Sequence, residues 1–177
     1  MTTPLVLTFV GRDRPGLVNA IAERVASAGG TWLESRLVRL AGEFAGVVLI
    51  AAPQDKFEAL AATLAGLETA GLRVTISPSV PVAAASSERL IAVSIVGAER
   101  PGIVRDVTQA LTRLGVNIEE FSSGVEGEPF TGAEMFRANL SIRLPEGLAV
   151  DELRKTLERL AAEIMVDLSV GEGEPVG

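Results

Sequence analysis

The stretch Gly11-Arg12-Asp13-Arg14-Pro15-Gly16-Leu17-Val18 returns 86 residues later as Gly97-Ala98-Glu99-Arg100-Pro101-Gly102-Ile103-Val104. Each copy follows an apolar run rich in β-formers, Leu5–Val10 in one case and Leu90–Val96 in the other. Each then opens a helical spacing of apolar residues. The first is Leu17, Val18, Ile21, Val25 and Ala28; the second is Ile103, Val104, Val107, Leu111 and Leu114. Pro15 suits the first turn of a helix, and the residue before a proline is steered out of helical geometry, which nominates Arg14 or Asp13 as the cap. The copies are unequal at one position: Asp13 has become Glu99.

Outward from the repeat, the pattern is the same in both halves. Gly29-Gly30 stops the first helix, Trp32–Leu40 and Phe44–Ala52 read as strands around a tight turn at Ala41-Gly42-Glu43, and Phe57, Leu60, Leu64 and Leu67 mark a second helix. Gly71 breaks that helix before a last strand, Leu72–Ser77. In the second half Gly115 stops the helix, Asn117–Val125 and Glu134–Leu144 are strands, Leu153, Leu157 and Leu160 mark a helix, and Met165–Val170 is the last strand. Each half is therefore β-α-β-β-α-β. This is an α+β, ferredoxin-like order with an antiparallel sheet and both helices on one face. The expected domains are 1–79 and 89–170, with a small-residue linker at 80–88 and a frayed tail at 171–177.

Phe44 matches Phe136 and Pro53 matches Pro145 at an offset of 92, so the second copy holds six extra residues near Glu126–Thr131. They fall in the hairpin between its second and third strands. In this topology that hairpin lies at the same end as the loop Gly97–Gly102. The insertion is either a lid or specificity element over the loop, or a tolerated surface insertion.

Composition narrows the chemistry. The chain has 47% hydrophobic and 22% charged residues, which argues for a packed core and against disorder. Sixteen Lys and Arg face 23 Asp and Glu, and no basic run exceeds two, so direct nucleic-acid binding is disfavoured. The chain has no cysteine, histidine or tyrosine. That removes disulfides, Cys/His zinc sites, thiol nucleophiles and imidazole bases. No cofactor is called for. Trp32 is expected in the core, as are Phe44 and Phe136; Glu119-Glu120 and Asp151-Glu152 are expected as solvated charges, the latter pair at a helix start. Lys56 and Lys155 lie away from the loops, and no triad or phosphate loop is present, so no catalytic role is expected. The longest apolar run, Phe44–Ala52, is too short to span a bilayer, and the N-terminus has no charged n-region or long apolar run. The expected location is the cytosol, without membrane contact.

The repeated loop is the candidate site. A glycine after a strand lets the chain turn and approach a ligand, and the start of the following helix offers N–H groups to a carboxylate. An acidic side chain in the same loop suits an ammonium group. Gly11, Asp13 and the N–H groups near Gly16 and Leu17 could read both ends of a free α-amino acid. The alternative is that Asp13 caps the helix and Gly11 merely turns the chain. Arg12, Arg14 and Arg100 flank the loops, either holding a carboxylate or solvated.

Both loops, together with Leu114-Gly115-Val116-Asn117-Ile118, resemble the ACT domain, a small regulatory module that binds amino acids. A tandem of this size, with Pro129-Phe130-Thr131-Gly132 in the longer hairpin, most resembles the glycine cleavage system transcriptional repressor group. The resemblance implies effector sites at paired-domain interfaces, where the loop acid of one domain faces an Asn at the start of the partner's second strand. Carried over, Asp13 faces Asn117, and the mirror site pairs Glu99 with Thr31. The latter departs from the pattern, so one competent site is expected; Gly97, Glu99 and Gly102 line the weaker one. Asn117 is alternatively an ordinary turn residue after Gly115.

The resemblance thus implies an amino-acid-binding regulator, in which glycine or serine is the candidate effector. It would repress transcription through contacts with a regulator or enzyme protein, as a homodimer. The alternative is a structural or dimerisation module with no effector that regulates a metabolic enzyme or partner protein.

Overall fold

A computed structural model describes residues 2–79, 89–128 and 132–172. The expected linker 80–88, Pro129-Phe130-Thr131 of the long hairpin and 173–177 of the expected tail lie outside the described residues. Contacts divide the chain into two compact units, 1–83 and 84–177.

The first unit runs β1 (Thr2–Arg12), α1 (Leu17–Ser27), β2 (Thr31–Leu40), β3 (Glu43–Pro53), α2 (Phe57–Ala65) and β4 (Leu72–Pro78). Its sheet has the order β2-β3-β1-β4, and every pairing is antiparallel. The second unit runs β5 (Leu90–Ala98), α3 (Ile103–Arg113), β6 (Asn117–Gly127), β7 (Glu134–Arg143), α4 (Val150–Ile164) and β8 (Val166–Glu172). Its order, β6-β7-β5-β8, is the same topology. Each unit is thus the expected ferredoxin-like arrangement. β8 enters the expected tail by two residues. The second helix of the first unit is shorter than its apolar spacing predicts: Leu67 lies in a 3-10 turn, Gly66–Ala70, after the α-helix has ended.

Alternation along the strands makes the cores. In β1, Leu5, Leu7 and Phe9 are buried, and in β3 Val48 and Ile50 face the same way. α1 covers them with Leu17, Ile21 and Val25, spaced four apart on one face. Each such aliphatic side chain contributes about 1.5–3 kcal/mol when fully buried. The second core repeats the plan with Ile91, Val93, Ile95, Ile103, Val107 and Leu111. Phe136 is buried as expected, at 4% exposure. Trp32 and Phe44 are only partly buried and pack on the edge of the first core, where Phe44 meets the Phe9 ring at 5.6 Å between centroids.

Both edge strands carry a β-bulge at matched positions, Leu33 between Trp32 and Glu34, and Glu119 between Ile118 and Glu120. The β2–β3 connection is a two-residue hairpin in which Ala41 and Gly42 both have positive φ, 50° and 82°.

Candidate functional site

Each repeated loop connects the end of a central strand to the start of a helix. The sequence predicts a turn at Gly11 and Gly97, and the chain does not turn there. They are still paired on both sides within their strands, Gly11 with Phe44 and Leu72, Gly97 with Phe136 and Val166. Their role is close approach: a Cβ on Gly11 would lie 2.5 Å from the Gly71 carbonyl oxygen, and one on Gly97 would lie 2.5 Å from Val166 Cγ1.

The turning residues are Gly16 and Gly102. Pro15 is not in the helix, and neither Asp13 nor Arg14 caps it. Pro-Gly forms the middle of a type II turn, which places proline at φ near −60° and needs positive φ at the next residue. Gly16 has φ 90° and ψ 0°, and Gly102 has φ 88° and ψ 4°; each is itself the residue before the helix, without a side-chain cap. The Ile103 N–H donates to the Arg100 carbonyl at 3.4 Å, closing that turn in the second copy. The first helical bonds run from Ala20 N–H to Gly16 O and from Asp106 N–H to Gly102 O, at 2.9 and 3.0 Å. The amides just before them point out of the helix start. Leu17 can present only its backbone, since its side chain is buried at 5% exposure.

The loop and the hairpin do meet at one end of each sheet. Asp13 N–H donates to Gly42 O, and Glu99 N–H donates to Glu134 O, both at 2.9 Å. Beyond this the copies diverge. The Asp13 carboxylate forms an ion pair with Arg39 Nε at 2.5 Å, across the hairpin. Arg39 lies in the same cross-sheet row as Phe44 and Gly11. Its counterpart in the second copy, 86 residues on, is Val125.

In the second copy Arg100 is tied to the start of the helix. Arg100 lies 2.6 Å from Asp106 Oδ2, and Arg105 lies 2.8 Å from Asp106 Oδ1, so Arg100 is not a solvated loop cation. Hydrogen bonding from Arg100, then from Arg105, holds the Asp106 carboxyl below its usual range. The equivalent of Asp106 in the first copy is Ala20, which has no carboxylate to offer. The sequence held the signal for both Arg39 and Asp106: an arginine two residues before a two-residue hairpin, and an acid in the first turn of a helix.

Asn117 begins β6 at the end of the sheet opposite the Gly97–Gly102 loop, since it pairs with Arg143, which in turn faces Leu90. Its carboxamide donates to Glu119 Oε1 at 2.6 Å, and Arg143 Nε donates to the same oxygen at 2.9 Å. Glu119 is thus exposed, as expected for a solvated charge, but paired. The Arg143 bond, followed by the weaker Asn117 bond, outweighs partial desolvation and holds its carboxyl below the usual glutamate value. Thr31, the counterpart of Asn117, starts β2 and pairs with Ala51, which has no charge.

No group of three or more acidic residues that could hold a metal occurs among the described residues. No helix there is long and apolar enough to cross a membrane.

Comparison with known proteins agrees with this architecture. ACT-domain profiles match residues 3–77 and 91–158. The chain is 31% identical over 174 residues to the phosphoserine phosphatase SerB2 of Mycobacterium tuberculosis, covering 94% of this chain and 40% of the phosphatase. It is 26% identical over 172 residues to the glycine cleavage system transcriptional repressor of Escherichia coli, covering 94% of this chain and 88% of the repressor. The chain thus spans well under half of the first relative and most of the second. Among solved structures, an unknown protein from Galdieria sulphuraria superposes with a TM-score of 0.88 at 25% identity, covering 98% of this chain and 100% of that one. A putative glycine cleavage system transcriptional repressor superposes with a TM-score of 0.73 at 22% identity, covering 97% of both chains. With a domain profile matching each of its βαββαβ units, the chain belongs to the ACT-domain family and carries two such domains in tandem.

Proposed function

We propose that this chain is a cytoplasmic amino-acid-sensing regulator with one competent effector site, built on the loop of the first domain and taking glycine or a similar small amino acid. The inequality of the two loops carries this reading. The first presents the shorter acid, Asp13, opposite Arg39, beside a helix start with no carboxylate at Ala20. The second has Glu99 opposite Val125, and a helix start already engaged by Asp106 with Arg100 and Arg105. In this scheme Gly16 and Leu17 supply backbone amides, and Asn117 of the second domain completes the site, within one chain or across a homodimer.

Signalling would follow by population shift. The effector stabilises one pairing of domains, and a protein partner recognises that pairing. The likeness to the Escherichia coli repressor supports a role in transcriptional regulation. The 16 basic against 23 acidic residues support a protein partner over DNA. A thermal-shift panel of the twenty amino acids tests the sensor, with native protein and Asp13→Ala. A shift by a small amino acid that the variant loses is expected; no shift with any of them removes the sensor.

One observation favours a second function, a pairing module without effector that regulates a metabolic enzyme or another protein. The match to SerB2 covers 40% of an enzyme, so relatives of this tandem accompany a catalytic chain. In that case the panel stays flat while the isolated chain still self-associates.

A further inference from the structure

We propose that Arg39 positions the effector by taking its carboxylate while Asp13 takes its ammonium, so that the zwitterion enters the Asp13–Arg39 ion pair and replaces each partner for the other. This rests on the sensor function above and assigns a second charged residue to the same site.

The geometry supplies a matched pair of opposite charges at one end of the first sheet. Arg39 Nε and Asp13 Oδ2 are in contact, and their side chains are 70% and 31% exposed. A pair this open to water contributes little to stability, so separating it costs little. The two ends of an α-amino acid carry the same two charges in reverse order. Insertion therefore leaves neither the guanidinium nor the carboxylate without a counterion, and a guanidinium can grip a carboxylate through two parallel N–H bonds. Asp13 is held from behind by its own N–H to Gly42 O at 2.9 Å, so the acid keeps its place when the arginine swings. The hairpin that carries Arg39 turns in two residues, Ala41 and Gly42, which fixes the base of that arginine close to the loop.

The second domain serves as an internal control. Val125 stands in the place of Arg39, paired with Phe136 in the row of Gly97. Glu99 thus has an acid for an ammonium group, with no guanidinium at the matching place for a carboxylate.

Calorimetry with glycine and serine, each against its carboxamide, tests the assignment at about pH 6.5, where the α-amino groups are protonated. The native chain is expected to prefer the amino acid over its amide by tenfold or more. Arg39→Gln should reduce that ratio to about one, by weakening the amino acid and by freeing Asp13 for the cationic amide, and Asp13→Asn should weaken acid and amide alike. Circular dichroism should show both variants folded, because Arg39 is exposed on the edge strand β2 and its ion pair with Asp13 is open to water. If Arg39→Gln binds glycine or serine as tightly as the native chain while Asp13→Asn does not, the role of Arg39 is overturned and the sensor function stands. If the native chain binds neither amino acid, the site itself is overturned and Arg39 with it.

Discussion

The Arg100 guanidinium lies 2.6 Å from the Asp106 carboxylate, so the second loop is tied to the first turn of the helix it precedes. A negative charge there also complements the positive end of the helix dipole. Asp106 has its carboxyl held below 3.8, chiefly by Arg100 and next by Arg105. Replacing Arg100 by Gln should raise the Asp106 carboxyl toward its ordinary value, and replacing Arg105 by Gln should raise it less. Carbon-detected NMR titration of the side-chain carboxyl checks the order; a larger rise from Arg105→Gln would reverse it.

Glu119 gives a pH dependence of its own. Its folded-state carboxyl sits below the ordinary 4.5. The stability it contributes is therefore fully present above 4.5 and is lost as pH falls through the lower folded value. Arg143→Met should remove most of this dependence, because Arg143 is the larger of the two lowering partners. Thermal denaturation between neutral and strongly acidic pH should show the native curve falling more steeply than that of the variant.

The two kinds of loop glycine should fail differently. Gly11→Ala places a Cβ against the Gly71 backbone oxygen, which has little room to move, and should cost about 1–3 kcal/mol. Gly16→Ala meets nothing within 4 Å but must hold φ near 90°, at a cost of about 1–2 kcal/mol. Urea denaturation measures both. Gly16→Asn should be milder than Gly16→Ala, because Asn tolerates the left-handed region, whereas no side chain rescues position 11.

Asp13→Ala should cost at most about 1 kcal/mol of stability, because its ion pair with Arg39 is solvent-exposed. Binding should nonetheless be lost, while Glu99→Ala keeps it. Calorimetric stoichiometry near one per chain, unchanged by Glu99→Ala, is the expected outcome; equal losses from the two substitutions would mean two equivalent sites.

Much of this molecule is legible in the chain itself. The repeat, eight strands and both pairs of helices follow from apolar spacing, because each half needs only one buried face per element. Other features depend on partners distant in sequence. Asp13 looked like a cap because acids often cap helices, but Pro15-Gly16 takes the chain through a turn first, and the acid is left facing Arg39. The pairing of Glu119 is hidden in the sequence because its partner Arg143 lies 24 positions away and meets it only across the β6–β7 ladder. Gly11 looked like a turn because nothing in its own segment shows that Gly71 and Leu72 press on it from β4.

The matched bulges act as a change of phase in the edge strands. From Glu34 to Leu40 the outward and inward sides alternate without interruption, and strict alternation would turn Trp32 away from the core. The extra residue Leu33 resets the count, so Trp32 pairs with Ile50 and faces inward; Glu119 does the same for Ile118. Because a bulged residue has no ladder partner, its identity is free to drift, and the two copies hold an exposed leucine and a bonded glutamate there. Its presence is not free. Deleting Leu33 should harm the first domain more than any substitution at that position, since the deletion rotates the tryptophan into water.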